Sequence, residues 1–284
     1  MRLLGVVLGV VLLVVGCGSV DEKPIDARPK DTSMPTPDTP GIDMPVATCV
    51  ASPAGLRVRY RAENNPMDHG GAFAGVQVGA NFGYTPGKFG SAFLLDGVDD
   101  TVTISDGDQL WPSGALSIEA WVKTTATVNG NVVSKYACGN VCAANNGSLA
   151  YFAMYVSAAG KAVFEFRPDA VTTENITSAT SVAAVNDGAW HHLIGVRDAT
   201  ANNALIYVDG ALSATVSASA AQFGPMTNVD GDVDLITIGS SVRAGMTTYN
   251  GYFNGAVDEL AIYHSALTAA QVSAIYAAPE GKCL

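Results

Sequence analysis

Residues 189–210, AWHHLIGVRDATANNALIYVDG, bring His191, His192, Asp198 and Asp209 into one short stretch. Imidazoles and carboxylates spaced this closely can hold a divalent metal or move protons. The period of the flanking residues argues for a plainer role. In a strand successive side chains alternate faces, so Trp190, His192, Ile194 and Val196 share one side and His191, Leu193, Gly195 and Arg197 the other. The two histidines therefore cannot ligate one ion. His192, set among Trp190, Ile194 and Val196, reads as a core-edge residue with a hydrogen bond. Asp198 opens the loop DATANN, where an Asx turn suffices. Asp209-Gly210 after LIYV is a strong hairpin signal. The stretch is first of all two paired strands.

Other chemistry-bearing patterns are weaker. CGNVC at 138–142 lacks a second Cys/His pair of ligand spacing, which counts against zinc. NVDGDVD at 228–234 offers Asp230, Asp232 and Asp234 at alternate positions, yet its glycine falls between the first two and no Glu follows at the EF-hand position. A solvated acidic loop is the expected reading. There is no Gly-x-Ser-x-Gly elbow for serine chemistry. Glu119 in SIEAW and Glu165 in VFEF stand singly, whereas glycoside hydrolysis needs two carboxylates about 5 to 10 Å apart across the sugar.

The elements that must position these residues are strands. The chain is 284 residues long, 48% hydrophobic and 14% charged, ample for a core. A net charge of −11 and no Lys/Arg cluster exclude a nucleic-acid partner, since nothing would neutralise phosphates. From Cys49 onward, short β-rich runs alternate with Gly/Asn/Asp turns: SAFLLDG, TVTIS, LSIEAWVKT, NVVSKY, AYFAMYVS, KAVFEFR, HHLIGVRD, ALIYVDG, DLITIGS and GAVDELAIY. This pattern predicts an all-β fold, a β-sandwich or jelly roll. One short C-terminal helix is expected after HSAL, with Thr268 and Gln271 as a capping box and Val272, Ile275 and Tyr276 as its apolar face before Pro279.

The first 17 residues, MRLLGVVLGVVLLVVGC, have one positive charge and an apolar run too short for a comfortable span, the organisation of an export signal. Val14-Val15-Gly16-Cys17 resembles the bacterial lipobox, which implies lipidation of Cys17. An ordinary export signal or an uncleaved anchor is the alternative. Residues 18–48, rich in Pro, Asp and Thr without apolar period, read as a disordered tether reaching up to roughly 3 Å per residue when extended. Gly18 stands where an aspartate would, by the sorting rule of many Gram-negative lipoproteins, retain the protein at the inner membrane. An exported, outer-membrane or cell-surface location follows. With Cys17 set apart, Cys49, Cys138, Cys142 and Cys283 form an even set suited to an oxidising compartment. More than one pairing is open; the expected one joins Cys138 to Cys142 as a local clip and Cys49 to Cys283 across the ends of the domain.

GAWHHLIGVRDATANNALIYVDGAL resembles the Trp-His-His strand and Leu-Tyr-Val-Asp-Gly hairpin of laminin-G-like, concanavalin A-like domains. PGKFGSAFLLDGVDDTVTI at 86–104, SIEAWVKT at 117–124, FNGAVDELAIYHSALTAAQVSAIY at 253–276 and RYRAENNPMDHGG upstream are similar to the same family, in the same order. The resemblance implies one laminin-G-like domain over 49–284, a two-sheet antiparallel jelly-roll sandwich with its sheets packed face to face. The resemblance implies a structural Ca2+ on the rim, held by Asp258 of the last strand with Glu63 and Asp68 near the first. Strand alternation puts Asp258 on the face of Leu260 and Ile262, where a lone carboxylate needs a partner; capping backbone amides or meeting an arginine is the alternative. The related glucanases carry a Glu-x-Asp-x-x-Glu strand, which this sequence lacks. The expected function is therefore a non-catalytic binding module, with carbohydrate as ligand and Tyr249, Tyr252 and Phe253 in TTYNGYFNG as the stacking residues. Anchoring that loop onto the sandwich is the competing role for these aromatics. The alternatives to sugar binding are adhesion to a cell-surface protein or a structural place in the envelope.

Overall fold

The computed structural model describes residues 49–136, 150–168, 176–226, 234–242 and 249–283. The export signal with Cys17, the tether, Cys138, Cys142, Asp230 and Asp232 lie outside the described residues. All described residues fall in one compact unit, Val46–Leu284.

In chain order the described strands are β1 (Leu56–Tyr60), β2 (Gly75–Val78), β3 (Gly83–Pro86), β4 (Ser91–Asp96), β5 (Thr101–Ser105), β6 (Leu116–Lys123), β7 (Gly130–Tyr136), β8 (Tyr151–Val156), β9 (Lys161–Arg167), β10 (Thr177–Ala184), β11 (His191–Asp198), β12 (Asn203–Val208), β13 (Ala211–Ser217), β14 (Leu235–Ile238) and β15 (Asn254–Tyr263); helix α1 (Ala269–Ala277) follows. They form the expected antiparallel sandwich. One sheet runs β13-β12-β11-β6-β15-β4-β3 with β1 also paired to β15, and the other runs β10-β9-β8-β7-β14-β5-β2. The core between them is filled by alternating inward residues such as Phe93, Ile118, Val122, Phe152, Phe164, Leu193 and Ile238. Gly195 is part of this fit: a Cβ there would lie 2.3 Å from the Phe164 ring.

The outer face of the β6-β15 sheet carries a second apolar cluster, Ile194, Val196, Tyr207, Ala261 and Tyr263, covered by Leu267 and by Val272 and Ile275 of α1. The helix begins as its sequence dictates, with the Gln271 amide donating to Thr268 Oγ1 at 3.3 Å and the Thr268 amide to Gln271 Oε1 at 2.8 Å. Tyr276 lies over Gly210 and stacks on Trp121 with ring centroids 5.7 Å apart. Asp209 and Gly210, at φ 51° and 78°, make the turn between β12 and β13 that both positive angles require.

Past the helix, the tail returns to the start of the domain. The Val50 amide donates to the Gly281 carbonyl at 2.9 Å, the Cys283 amide to the Val50 carbonyl at 2.8 Å, and Cys49 is disulfide-bonded to Cys283. The bond closes a loop with a sequence separation of 234 residues. A cross-link over a loop of this length withdraws conformational freedom chiefly from the unfolded chain, worth about 2–5 kcal/mol. Replacing Cys283 by Ser is expected to lower the free energy of unfolding by about that amount in a denaturant titration; an unchanged midpoint would remove the clasp from the stability of the fold.

Candidate functional site

The outer face of the larger sheet is divided by what covers it. Nearest the tail lies a buried ionic cluster. Glu119 on β6 receives Lys282 Nζ at 2.7 Å, His192 Nε2 at 3.3 Å and the Tyr263 hydroxyl at 2.7 Å. Glu259 receives Arg59 Nε at 2.7 Å, with Arg61 Nε 3.5 Å and Lys282 Nζ 4.0 Å away. Arg59 also donates to the Lys282 and Cys283 carbonyls, each at 3.0 Å, so the guanidinium grips the tail itself. Burial works against the Glu119 carboxylate, but Lys282 and His192 together hold it down to about 2.

The two histidines of the opening stretch are thus placed on opposite faces. His192 is buried, tilted against Trp121 at 4.9 Å and bound to Glu119. His191 bridges Asp209 at 2.8 Å and Asp187 at 3.1 Å. Burial pulls its pKa down, yet the hydrogen bonds to Asp209 and Asp187 leave it raised. Asp198 accepts the Thr200 and Ala201 amides, each at 3.0 Å, and closes its loop.

Asp258 departs from the simple alternation. The register of β15 against β6 shifts between Asp258, opposite Trp121, and Ala261, opposite Glu119, and Glu259 has φ 52°. This β-bulge inserts one residue. Leu260 and Ile262 face the core while Asp258 lies on the outer face, so the expectation that the three share a side is corrected. There Asp258 Oδ2 accepts the Phe89 amide at 3.0 Å, and Oδ1 is buried without a hydrogen-bond partner. Burial lifts its carboxyl to about 7, although the Phe89 amide pulls the other way.

The proposed calcium set does not come together. Glu63 accepts the Ser91 amide at 3.1 Å and Arg61 at 3.2 Å; Asp68 accepts the Arg59 amide at 2.9 Å and the Ala72 amide at 3.3 Å. Each carboxylate, like Asp258, caps its own backbone donors. The carboxylate oxygens of Asp258, Glu63 and Asp68 do not form a group of three within 4.8 Å of one another. Among the described residues, the group of three carboxylates within 4.8 Å of one another is Asp96, Asp99 and Asp100, in the turn from β4 to β5. Asp96 Oδ1 closes that turn on the Val98 amide at 2.8 Å, and Asp100 Oδ2 accepts the Asp96 amide at 3.0 Å. Asp234, expected in a solvated loop, is instead buried, with the Trp111 indole donating to Oδ2 at 3.3 Å.

The next rows of the outer face end at an opening. Trp121 is roofed by Phe89 at 6.0 Å, by Lys88 Nζ at 4.3 Å and by Tyr276. One rung further along, the registers His191 to Val122, Ala256 to Lys123, Ala256 to Leu94 and Gly83 to Leu94 fix a row across four strands. Continuing the β11 register by one residue sets Trp190 opposite Lys123. The row is therefore Trp190, Lys123, Ala256, Leu94 and Gly83, all on one face. Small residues at its centre leave a cavity of about 280 Å³, walled by Trp190 and Lys123 on one side and Leu94 and Thr85 on the other, with Asn254, Thr124 and Thr125 also in its lining. Trp190 is half-buried, and Lys123 and Leu94 are exposed. Asn254 Nδ2 donates to the Asp96 carbonyl at 2.9 Å, which holds the amide in place.

The aromatics singled out from sequence lie elsewhere. Phe253 belongs to the core and offers no face to a ligand, because it sits beneath Gly130, where a Cβ would lie 3.0 Å from its Cα. Tyr249 and Tyr252 are half-buried and do not line the cavity. Sequence reasoning does not single out Trp190, Lys123 or Leu94 as site residues; the available signal is a tryptophan two residues before the buried His192-Leu193-Ile194 run.

A family model described as the concanavalin A-like lectin/glucanases superfamily matches residues 96–273. No match is found among curated proteins. Solved structures of similar fold include domain 4 of AbnA, an extracellular GH43 arabinanase from Geobacillus stearothermophilus, in complex with arabinotriose; identity is 19%, TM-score 0.57, over 77% of this chain and 96% of that one. The binding domain of botulinum neurotoxin DC in complex with rat synaptotagmin II aligns at 13% identity and TM-score 0.54, over 78% of this chain and 51% of that one. The serotype D toxin ligand-binding domain in complex with N-acetylneuraminic acid aligns at 11% identity and TM-score 0.54, over 78% and 50%. The chain thus spans about half the length of the toxin domains.

The buried Asp258 makes a testable claim on stability. Its carboxyl stands at about 7 in the fold against an ordinary 3.8, so the folded state holds a proton that the unfolded chain releases. That contribution is fully present below the ordinary value and is lost as pH rises toward the folded one. Relative to Asp258→Asn, the wild type is expected to lose on the order of a few kcal/mol between pH 4 and pH 8. Denaturant titrations of both proteins across that window check it; parallel profiles would show that Asp258 titrates normally.

Proposed function

The chain belongs to the concanavalin A-like lectin/glucanase superfamily, and from that premise we propose that it is a non-catalytic carbohydrate-binding module whose site is the cavity beside Trp190. The observation that carries this reading is the open row itself. An indole wall, a small floor and a ring of hydroxyl and amide groups match what a pyranose presents: an apolar face of C–H groups and an equator of hydroxyls. Trp190 supplies the stacking face. Asn254, fixed through Nδ2, keeps its amide oxygen for a sugar hydroxyl. The saccharides held by the arabinanase domain and the serotype D toxin domain support a sugar over other small ligands.

The non-catalytic half of the proposal rests on where the carboxylates are. Glu119 and Glu259 are buried and ion-paired, and no carboxylate lines the cavity among the described residues. Hydrolysis through a pair of acids across the sugar would need them there. The module's place is also part of the proposal. The lipobox-like Val14-Val15-Gly16-Cys17 supports a lipid anchor at Cys17, the Pro/Asp/Thr-rich segment supports a tether, and Gly18 supports an outer-membrane or cell-surface position.

A glycan array probed with the full chain, followed by calorimetric titration of the best ligand, tests the reading. Trp190→Ala is expected to weaken binding by about 30-fold, the cost of losing an anchoring aromatic of about 2 kcal/mol, while Trp190→Phe retains part of the affinity. The titration is run in calcium and again in a chelator, because the family resemblance brings calcium with it. Loss in the chelator would put an ion into the binding reaction, and equal binding would leave the cavity side chains as its determinants. A folded protein that binds no glycan in either condition would overturn the proposal in favour of a protein partner or a structural envelope role.

A further inference from the structure

The cavity carries one feature that a neutral sugar does not use. Lys123 is the charged side chain of its wall, it is exposed, and no carboxylate pairs with it among the described residues. In a chain with 26 acidic and 15 basic side chains, an unpaired ammonium beside a tryptophan is a specific placement. The carboxylates nearest in the fold are otherwise engaged. Asp258 lies buried under the Phe89 amide one rung away, Asp187 binds His191, and Asp96 closes its own turn. A second cation follows at the next same-face position along β6, where Lys88 stands over Trp121 at 4.3 Å. Same-face positions on a strand are about 6.6 Å apart. Trp190 and Lys123 face each other across neighbouring strands about 4.8 Å apart, close enough for one sugar ring to meet both.

Resting on the carbohydrate reading of this same site, we propose that the ligand is an acidic saccharide, a pyranose bearing a carboxylate. Its ring lies on Trp190 and its carboxylate accepts a charge-assisted hydrogen bond from Lys123 Nζ. Lys88 receives a carboxylate of the adjoining residue when the ligand is a polymer. Both ammonium groups are exposed, so salt weakens both contacts.

The test is a calorimetric titration of the full chain with a paired panel: galacturonate, glucuronate and mannuronate oligomers, each also in carboxyl-reduced form, together with N-acetylneuraminate. At least one acid form is expected to bind about tenfold or more tightly than its reduced partner. Lys123→Gln should erase that preference, bringing the acid and reduced forms to the same affinity, and Trp190→Ala should weaken both. Equal affinity for acid and reduced forms across the panel, or a preference that survives Lys123→Gln, overturns the acidic-ligand proposal. Binding to neutral glycans on the array in that case leaves the carbohydrate reading standing, so the two failures are separable. Because Lys123 is an exposed strand-end residue, Lys123→Gln is expected to melt with the wild type, which is checked on the same samples.

Discussion

Two glutamates on the outer face of a β-sheet, Glu119 and Glu259, set the terms for the rest of this molecule. A carboxylate removed from water is costly unless a cation and hydrogen bonds replace the lost hydration. Here the cations come from opposite ends of the domain: Arg59 from its first strand and Lys282 from its tail. The ionic cluster can therefore form only when the ends are brought together, as the Cys49–Cys283 bond and the Val50 pairing also require. Removing either cation would leave a buried charge uncompensated, so the tail is integral to the fold although it has almost no regular structure of its own.

The bulge at Glu259 is what makes this cluster possible. Without the inserted residue, strict alternation would turn Glu259 away from Asp258, and one of the two would enter the core between the sheets. The positive φ at Glu259 carries a local backbone cost, and the ion pair to Arg59 with the amide cap on Asp258 offsets it. The same irregularity ends the pairing of β15 with β4, at Val257, and begins its pairing with β1, at Leu260. One extra residue thus allows two different strands to share one edge of β15, and the turn that carries Lys88 and Phe89 sits over the junction.

The central strands were legible in the sequence and the edges were not. Ten runs rich in Val, Ile, Phe and Tyr correspond to β4 to β9, β11, β12, β14 and β15. The strands outside those runs are β1, β2, β3, β10 and β13; the last four are the ends of the two sheets, and β1 pairs with β15 off the main strand order. An edge strand buries less, so its residues can be small and polar: TSATSVAA in β10 and ALSATVS in β13 show no apolar alternation worth reading. The site failed to show for a related reason. Trp190, Lys123, Ala256 and Leu94 come from four strands and owe their meeting to register alone, which local pattern does not encode. Phe253 is not legible as a core residue because an aromatic in a glycine-rich loop looks exposed, whereas its backbone and ring pack against Gly130.

The division of the outer face explains why an opening exists where it does. Helix α1 covers the apolar rows, the tail covers the acidic rows, and the turn through Lys88 and Phe89 covers Trp121. Each cover is held by residues that the face itself presents. The row from Trp190 to Leu94 presents nothing that would hold a cover: its floor is Ala256, and its charge is a cation in a molecule whose surplus is anionic. Leu94 and Trp190 keep apolar surface in contact with water, a cost that the helix relieves over Ile194, Val196 and Tyr263. Apolar surface left open beside an unpaired charge is a poor arrangement for stability and a good one for a ligand that brings both an apolar face and an anion.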